Sequence, residues 1–313
     1  MRHKILGFTL AAATALAAGA ATYAAQSAEA EPSAAEAVEL RAMTYNIKHG
    51  YDYDDDWDET DPDLDRTAEA IAEQNPDVVA LQEINNNHRL GNCVNQTEEL
   101  ADKVEQKIEE MHGEVVEMHW AFENNQPDDA SDNGCGQPKE AGNAVLSKHE
   151  IVDQGHLALE RNTDVEGARR GLMWATVDAG GTPVRVYSTH LASPVSPDAQ
   201  QLREDQTRQA LAEIGDVDTP TLFMGDFNSK PENPNTDTPM PAELAVNHGF
   251  ADSWAQVGPG NGYTVPVDPD RDPDKRIDYV FASPGFDILR ATKPRTLASD
   301  HYPVRVVVSF NPQ

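Results

Sequence analysis

Positive charge is what this 313-residue sequence has least of: 24 Lys and Arg stand against 54 Asp and Glu, for a formal charge of −30. A field of that sign repels nucleic-acid backbone and anionic membrane alike. It excludes bulk electrostatic capture of either, while remaining compatible with a local basic pocket. Aromatic residues are also few, 6 % of the chain, and the 4 Trp are scattered. Neither an aromatic hairpin for membrane docking nor an Arg/Lys stripe with interleaved aromatics for nucleic acid is visible. After the first thirty residues no apolar run reaches transmembrane length. No Pro/Gly/Ser-rich linker divides the rest and no repeat recurs. Against these absences, 39 % hydrophobic and 25 % charged residues suit one sizeable packed core and argue against global disorder.

The N-terminus reads as a targeting segment. Arg2, His3 and Lys4 form a basic start, an uncharged Ala-rich stretch runs from Ile5 to Ser27, and Ala28-Glu29-Ala30 precedes Glu31-Pro32. That is the layout of a secretory signal peptide. A retained anchor is the rival, but so much Ala with so little Leu or Ile makes a weak span. The expectation is a secreted, extracellular protein: signal peptide 1–30, linker 31–38 and a single domain over 39–313. Cys93 and Cys135, the only cysteines, lie in polar Asn- and Gly-rich stretches. In an exported chain such a pair predicts a disulfide tying two loops together.

Apolar strand, polar loop and amphipathic helix then alternate. Strands are expected over 40–47, 77–81, 115–122, 143–147, 172–177, 184–190, 221–225, 277–282 and 304–310. Helices follow from the spacing of Leu64, Ala68 and Ile71, and of Leu100, Val104, Ile108 and Met111, with Asn95 and Glu98 set as a capping box. Further helices are expected over 199–214 and 242–247. The irregular alternation favours mixed sheets covered by helices over a strict parallel wind.

Several short strands end in a residue able to hold a metal or a phosphate. These are Asn46 in Met43-Thr44-Tyr45-Asn46-Ile47, Glu83 in Leu81-Gln82-Glu83, His190 in Ser188-Thr189-His190-Leu191, and Asp226 and Asn228 in Gly225-Asp226-Phe227-Asn228. Asp278 lies in Arg276-Ile277-Asp278-Tyr279, and Asp300 and His301 lie in Ser299-Asp300-His301-Tyr302-Pro303-Val304. Each has an ordinary reading alone: Glu83 a helix cap, His190 a satisfied core histidine, Asp226 a turn residue. A carboxylate just past a buried strand nevertheless costs desolvation energy unless it is paired or metal-bound, and the whole ordered set is hard to explain as caps.

This set resembles the endonuclease/exonuclease/phosphatase superfamily over about Arg41 to Val308. The Gly-Asp-Phe-Asn and Ser-Asp-His-x-Pro-Val elements are its most specific parts. The resemblance implies a four-layer α/β sandwich, with two mixed β-sheets face to face and helices outside. It also implies a metal-dependent hydrolase of phosphoester bonds, usually using Mg²⁺, with Mn²⁺ as a substitute. On this pattern Asn46, Glu83 and Asp300 are the metal ligands and His301 is the general base. Asp278 is the carboxylate that fixes the His301 tautomer, and His190 is the histidine that hydrogen-bonds a phosphate oxygen. Asp226 and Asn228 orient water and transition state. Asn143 lies in the region where a partner for His190 is expected. Asn143 and Arg170 are the substrate-binding candidates, Arg170 standing where nuclease relatives carry an arginine; Arg169 and Arg170 as plain solvated charges are the alternative.

The acidic run Asp52, Asp54, Asp55, Asp56, Asp58, Glu59, Asp61 suggests calcium. It lacks the glycine and terminal glutamate of an EF-hand loop, with Trp57 in the glycine's place, so a solvated loop with at most weak Ca²⁺ binding is expected. The Pro-interleaved run Asp268–Asp274 reads as an extended loop shaping access to the site. The functional expectation is a secreted monomeric phosphodiesterase acting on a small or lipid-derived phosphodiester. DNA and sphingomyelin are alternative substrates, and a catalytically silent binding protein of the same fold is the non-enzyme alternative.

Overall fold

The two-residue period of the strands sets the layers. The computed structural model describes residues 37–55, 61–126, 134–217, 219–232 and 239–312. In chain order the elements are β1 (Val38–Asn46), α1 (Leu64–Ala72), β2 (Val78–Asn86), α2 (Gln96–His112), β3 (His119–Asn124), β4 (Glu140–Ser147), β5 (Ile151–Ala158), β6 (Gly171–Ala179) and β7 (Thr182–His190). They continue with α3 (Pro197–Ile214), β8 (Thr221–Asp226), α4 (Pro241–Asn247), β9 (Ala251–Asp252), α5 (Ser253–Val257), β10 (Asp278–Ala282), β11 (Asp287–Thr292) and β12 (Val304–Phe310).

Two mixed six-stranded sheets result, in the orders β11-β12-β1-β2-β4-β3 and β5-β6-β7-β8-β10-β9. Each has one parallel pair at its centre, β1 with β2 and β7 with β8, and each pair is linked by a crossover through a helix, α1 or α3. Along β1, Leu40 and Ala42 join the cluster that also holds Val78, Val186, Met224 and Val280 from both sheets, so these side chains fill the space between the sheets. Met43, Tyr45 and Ile47, of opposite parity at the strand's end, pack with α1 and α2 residues such as Ile71 and Val104. On the second sheet Tyr187, Phe223 and Phe281 pack outward against Leu211 of α3 and Ala245 of α4. Helix, sheet, sheet, helix: the expected four-layer sandwich is what forms.

The helices begin where the sequence offers a cap. Asp63 accepts from the backbone N–H groups of Asp65 and Arg66 ahead of α1, Asn95 accepts from Glu98 N ahead of α2, and Ser196 accepts from Ala199 N ahead of α3, with Pro197 opening the helix. Cys93 and Cys135 are joined in a disulfide.

Three features depart from expectation. The third strand begins at His119, not Val115, whose side chain is 81 % exposed. β2 continues past Glu83 to Asn86 through an irregularity in its pairing with β4 between Leu81 and Ile84. Three strands and a short helix also escaped the sequence reading: β5, β9, β11 and α5. β5 and β11 are edge strands with mostly accessible side chains, so they lack the buried run that marks a strand.

Part of the acidic run (Asp56, Trp57, Asp58 and Glu59) lies outside the described residues. In the part that is described, the buried Lys48 ammonium gathers the carbonyls of Asp52 (2.8 Å), Tyr53 (3.1 Å) and Asp55 (3.1 Å). The Asp52 carboxylate pairs with Arg66. These carbonyls therefore face an ammonium group. The loop containing Asp268–Asp274 is pinned beside Asp300: Val267 N donates to Asp300 O, and Tyr302 N to Thr264 O.

Candidate functional site

Followed toward one end of the central strands, the inter-sheet row changes character. Beyond the apolar Ala42, Ala80, Val186 and Met224, the same faces carry Thr44, Gln82 and Ser188, all fully buried. The Gln82 amide donates to Thr44 Oγ1 (3.2 Å) and across to Ser188 Oγ (3.1 Å), which in turn donates to Leu81 O (3.0 Å). One step further lie Asn46, His190, Asp226 and Asp278, each at most 5 % exposed.

Register brings these last groups together. In the second sheet Asp226 is directly opposite His190 on one side and Asp278 on the other. Gly225 permits this: at φ +148° a Cβ there would lie 2.0 Å from Thr189 O, so only glycine lets β7 and β8 approach. From the first sheet, the Asn46 amide donates to both Glu83 Oε1 (3.1 Å) and Asp226 Oδ2 (3.2 Å), linking carboxylates of opposite sheets. Glu83 sits at φ +57° within the irregular part of β2; the bulge re-aims its side chain. Ser299 Oγ donates to Asn46 O (2.7 Å) and accepts from His301 N (3.2 Å), tethering the segment before β12 to the end of β1.

His301 Nδ1 lies 3.1 and 3.0 Å from the two Asp278 oxygens, while its Nε2 is 3.7 Å from Asp226 Oδ2. His190 Nε2 lies 3.4 Å from the same Asp226 oxygen. The electrostatics follow from burial and these neighbours. Burial alone would discharge His301, but the charges of Asp278 and Asp226 outweigh it and hold the imidazole well above its ordinary value. His190 goes the other way: burial, then the Arg170 charge, hold it well below. Burial and the Asp278 charge push the Asp226 carboxyl up to about 7, against the pull of His301. For Glu83 burial acts upward, but His49, His190 and the Asn46 amide prevail and hold it at about 2.

A cavity of about 350 Å³ opens beside Glu83 and His190, walled by Asn143, Glu166, Arg169 and Arg170. Arg170 engages Glu166 through Nε (3.1 Å) and Nη2 (2.5 Å), and Glu166 also accepts from Ser193 Oγ (2.9 Å). Asn143 donates to Gly171 O (3.0 Å) and Ser188 O (3.3 Å), bridging β4 to the second sheet, while its buried Oδ1 lacks a partner among the described residues. Asn228 adopts φ +47°; its N–H caps Asp226 Oδ1 (2.8 Å) and its amide donates to Leu191 O (3.1 Å). Three residues not anticipated from sequence contribute. His49 lies 3.4 Å from Glu83, Glu166 holds Arg170, and Gln82 carries the cross-sheet bond. Only Gln82 left a signal, a polar side chain inside a buried run.

The residues fit a divalent cation. Burial, and after it the charges of His301 and Glu83, act on Asp300, and its carboxyl is raised. Glu83 and Asp300, which act on each other through their charges, offer hard carboxylate oxygens suited to an ion such as Mg²⁺. Asn46 faces Glu83 with its NH2 while its Oδ1 accepts from Lys48 N (3.1 Å), so its oxygen would join them once the amide turns over. Ligand atoms of Asp226, Asp278 and His301 also lie within 4.8 Å of one another; there the carboxylate of Asp278 already holds the ring.

Fold and site together define an α/β-sandwich protein whose carboxylates, amides and histidines converge at one end of two facing sheets. A sequence model of the Endonuclease/Exonuclease/phosphatase family matches residues 43–301, and the chain belongs to that family. Members of it are in general hydrolases of phosphoester bonds, typically dependent on a divalent metal. Among similar solved structures is an endonuclease/exonuclease/phosphatase from Beutenbergia cavernae, 26 % identical, with a TM-score of 0.66 over 88 % of this chain and 72 % of that one. A mannosyl-6-phosphatase from Bacteroides thetaiotaomicron is 18 % identical, with a TM-score of 0.59 over 87 % of this chain and 100 % of that one. The human nocturnin catalytic domain with bound sulfate is 16 % identical, with a TM-score of 0.55 over 87 % and 94 %. No curated protein matches the sequence.

Proposed function

We propose that the protein is a secreted phosphodiesterase that hydrolyses a small phosphodiester with the aid of Mg²⁺. The observation that carries this reading is the pairing of His301 with Asp278 directly opposite the Asn46–Asp226 contact, with His190 and Glu83 on the adjoining cavity wall. Held by Asn46, Glu83 and Asp300, the cation would neutralise charge on a phosphoryl oxygen and on the departing alkoxide.

The chain's own groups supply the rest. Without the cation the Asp278 and Asp226 charges hold His301 protonated. With the cation's charge in the same site the ring would give up that proton, so that Nε2 takes one from the attacking water while Asp278 keeps Nδ1 protonated and stabilises the imidazolium that results. Asp226, tied back by Asn228 N and the Asn46 amide, orients that water. His190, kept neutral by burial, donates a hydrogen bond to a phosphoryl oxygen. A cavity of about 350 Å³ accommodates a phosphoryl group with a headgroup-sized body. Together with the charge of −30, that favours a small diester over duplex DNA.

The test uses bis(p-nitrophenyl) phosphate and p-nitrophenyl phosphate with Mg²⁺, with Mn²⁺ and with a chelator. Cleavage of the diester, its loss on chelation, and abolition of turnover in His301→Ala at unchanged melting temperature are expected. Full activity in that variant overturns the base assignment, and preference for the monoester overturns the diesterase reading. Recovery of exported protein beginning near Glu31 tests secretion.

A further inference from the structure

A second and larger cavity, about 570 Å³, shares no lining residue with the one beside His190. Its floor is Trp254, whose indole N–H donates to Gly260 O (3.1 Å). The chain can wrap this ring only because Gly258 and Gly262 stand over it: a Cβ at either would come within 2.5 Å of the indole. Tyr263 and Pro259 form one wall, and Lys293 and Arg295, from the segment leaving β11, form another.

These two cations are unusual in so acidic a chain. The half-buried Lys293 ammonium rests 4.6 Å from the centre of the Tyr302 ring, and among the described residues no carboxylate pairs with it. Burial and the neighbouring Arg295 charge both lower its pKa. One acid, Asp272, also lines the cavity and pulls the Lys293 pKa upward, less than burial and Arg295 push it down. Arg295 holds it at 3.4 Å in a pair that is 73 and 92 % exposed, an arrangement that contributes little. Two like charges at one cavity wall, one of them partly desolvated, attract a counter-charge that the protein itself supplies only weakly. An ammonium point charge beside a guanidinium fork suits a tetrahedral oxyanion, and the Tyr263–Pro259 wall suits an apolar or ring-shaped body.

We propose that this cavity is a second binding site, for a small organic phosphate whose phosphoryl group lies between Lys293 and Arg295 and whose body packs on Tyr263. The proposal stands independently of the phosphodiesterase reading, because no group of that site takes part.

Pyridoxal 5′-phosphate, a phosphate-bearing ring with an aldehyde, is the probe. The neutral Lys293 amine adds to the aldehyde carbon, water leaves, and borohydride delivers hydride to the resulting imine, giving a stable secondary amine that peptide mass mapping locates. In the intact protein Lys293 is expected to be labelled at least ~10-fold faster than the exposed lysines. Millimolar inorganic phosphate is expected to slow that labelling, and Arg295→Met to slow it severalfold with the melting temperature unchanged. Labelling no faster than at exposed lysines overturns the proposal. So does fast labelling indifferent to phosphate, whatever Arg295→Met does to it, because loss of the Arg295 charge alone makes the Lys293 amine less reactive.

Discussion

The cross-sheet bond between Gln82 and Ser188 makes a quantitative demand. Ser188→Ala removes two hydrogen bonds at once, the one accepted from the Gln82 amide (3.1 Å) and the one donated to Leu81 O (3.0 Å). Both lie between the sheets with every partner fully buried. Each such bond contributes about 1 kcal/mol net, and a buried group left without a partner costs about 1–3 kcal/mol. Gln82 keeps Thr44 as a partner, so the expected loss is about 2–3 kcal/mol, read as a lower urea midpoint at unchanged slope. Gln82→Met is apolar and of similar volume; combined with Ser188→Ala it should show a coupling of about 1 kcal/mol. The same bond lies one residue before Glu83 and two before His190, on opposite sheets. Its loss should therefore let the two halves of the site shift, lowering kcat/KM by about 10-fold or more. A Ser188→Ala protein within about 0.5 kcal/mol of wild type, with no coupling to Gln82, would refute the packing argument. Full kcat/KM in a clearly destabilised variant would refute the claim that this bond aligns the site.

Three further outcomes are expected. Gly225→Ala places a methyl 2.0 Å from Thr189 O, so the variant should fail to fold or melt far below wild type; a normal melt with normal activity would contradict the close approach of β7 and β8. Replacing Cys93 and Cys135 by serine opens a loop of 42 residues and should cost about 4 kcal/mol in chain entropy, seen as a lower urea midpoint. Burial lowers the His156 pKa below 6.5, where its Nε2 meets Asn125 Oδ1 at 3.2 Å. The folded state thus binds fewer protons than the unfolded chain, and the stability His156 contributes is present above pH 6.5 and lost as pH falls through the lowered value. His156→Gln should lose less stability than wild type between pH 7.5 and 5, and a constant difference between the two would contradict this.

What the sequence made legible, and what it hid, follows from where polar side chains meet apolar runs. Asn46, His190 and Asp226 each close a strand buried on both faces, so the end of the hydrophobic run marks the position. Glu83 was legible as a residue but not in its setting, because only pairing with β4 reveals that β2 bulges there and goes on. Thr44, Gln82 and Ser188 were harder still. Each is a neutral polar residue near the end of a buried strand, separated from its partner by as many as 106 residues, and nothing local says that two sheets will lay them against each other. Arg170 shows the same limit from the electrostatic side: as a sequence feature it is a candidate phosphate clamp, and in the fold Glu166 already holds its guanidinium. A substrate phosphate arriving at this wall must therefore compete with Glu166 for the fork, or bind to the pair as it stands. Across the inter-sheet row the side chains pass from apolar, to neutral and mutually hydrogen-bonded, to ionisable. That order keeps the costly charged groups where the cavity opens to water, with a satisfied polar layer between them and the dry core.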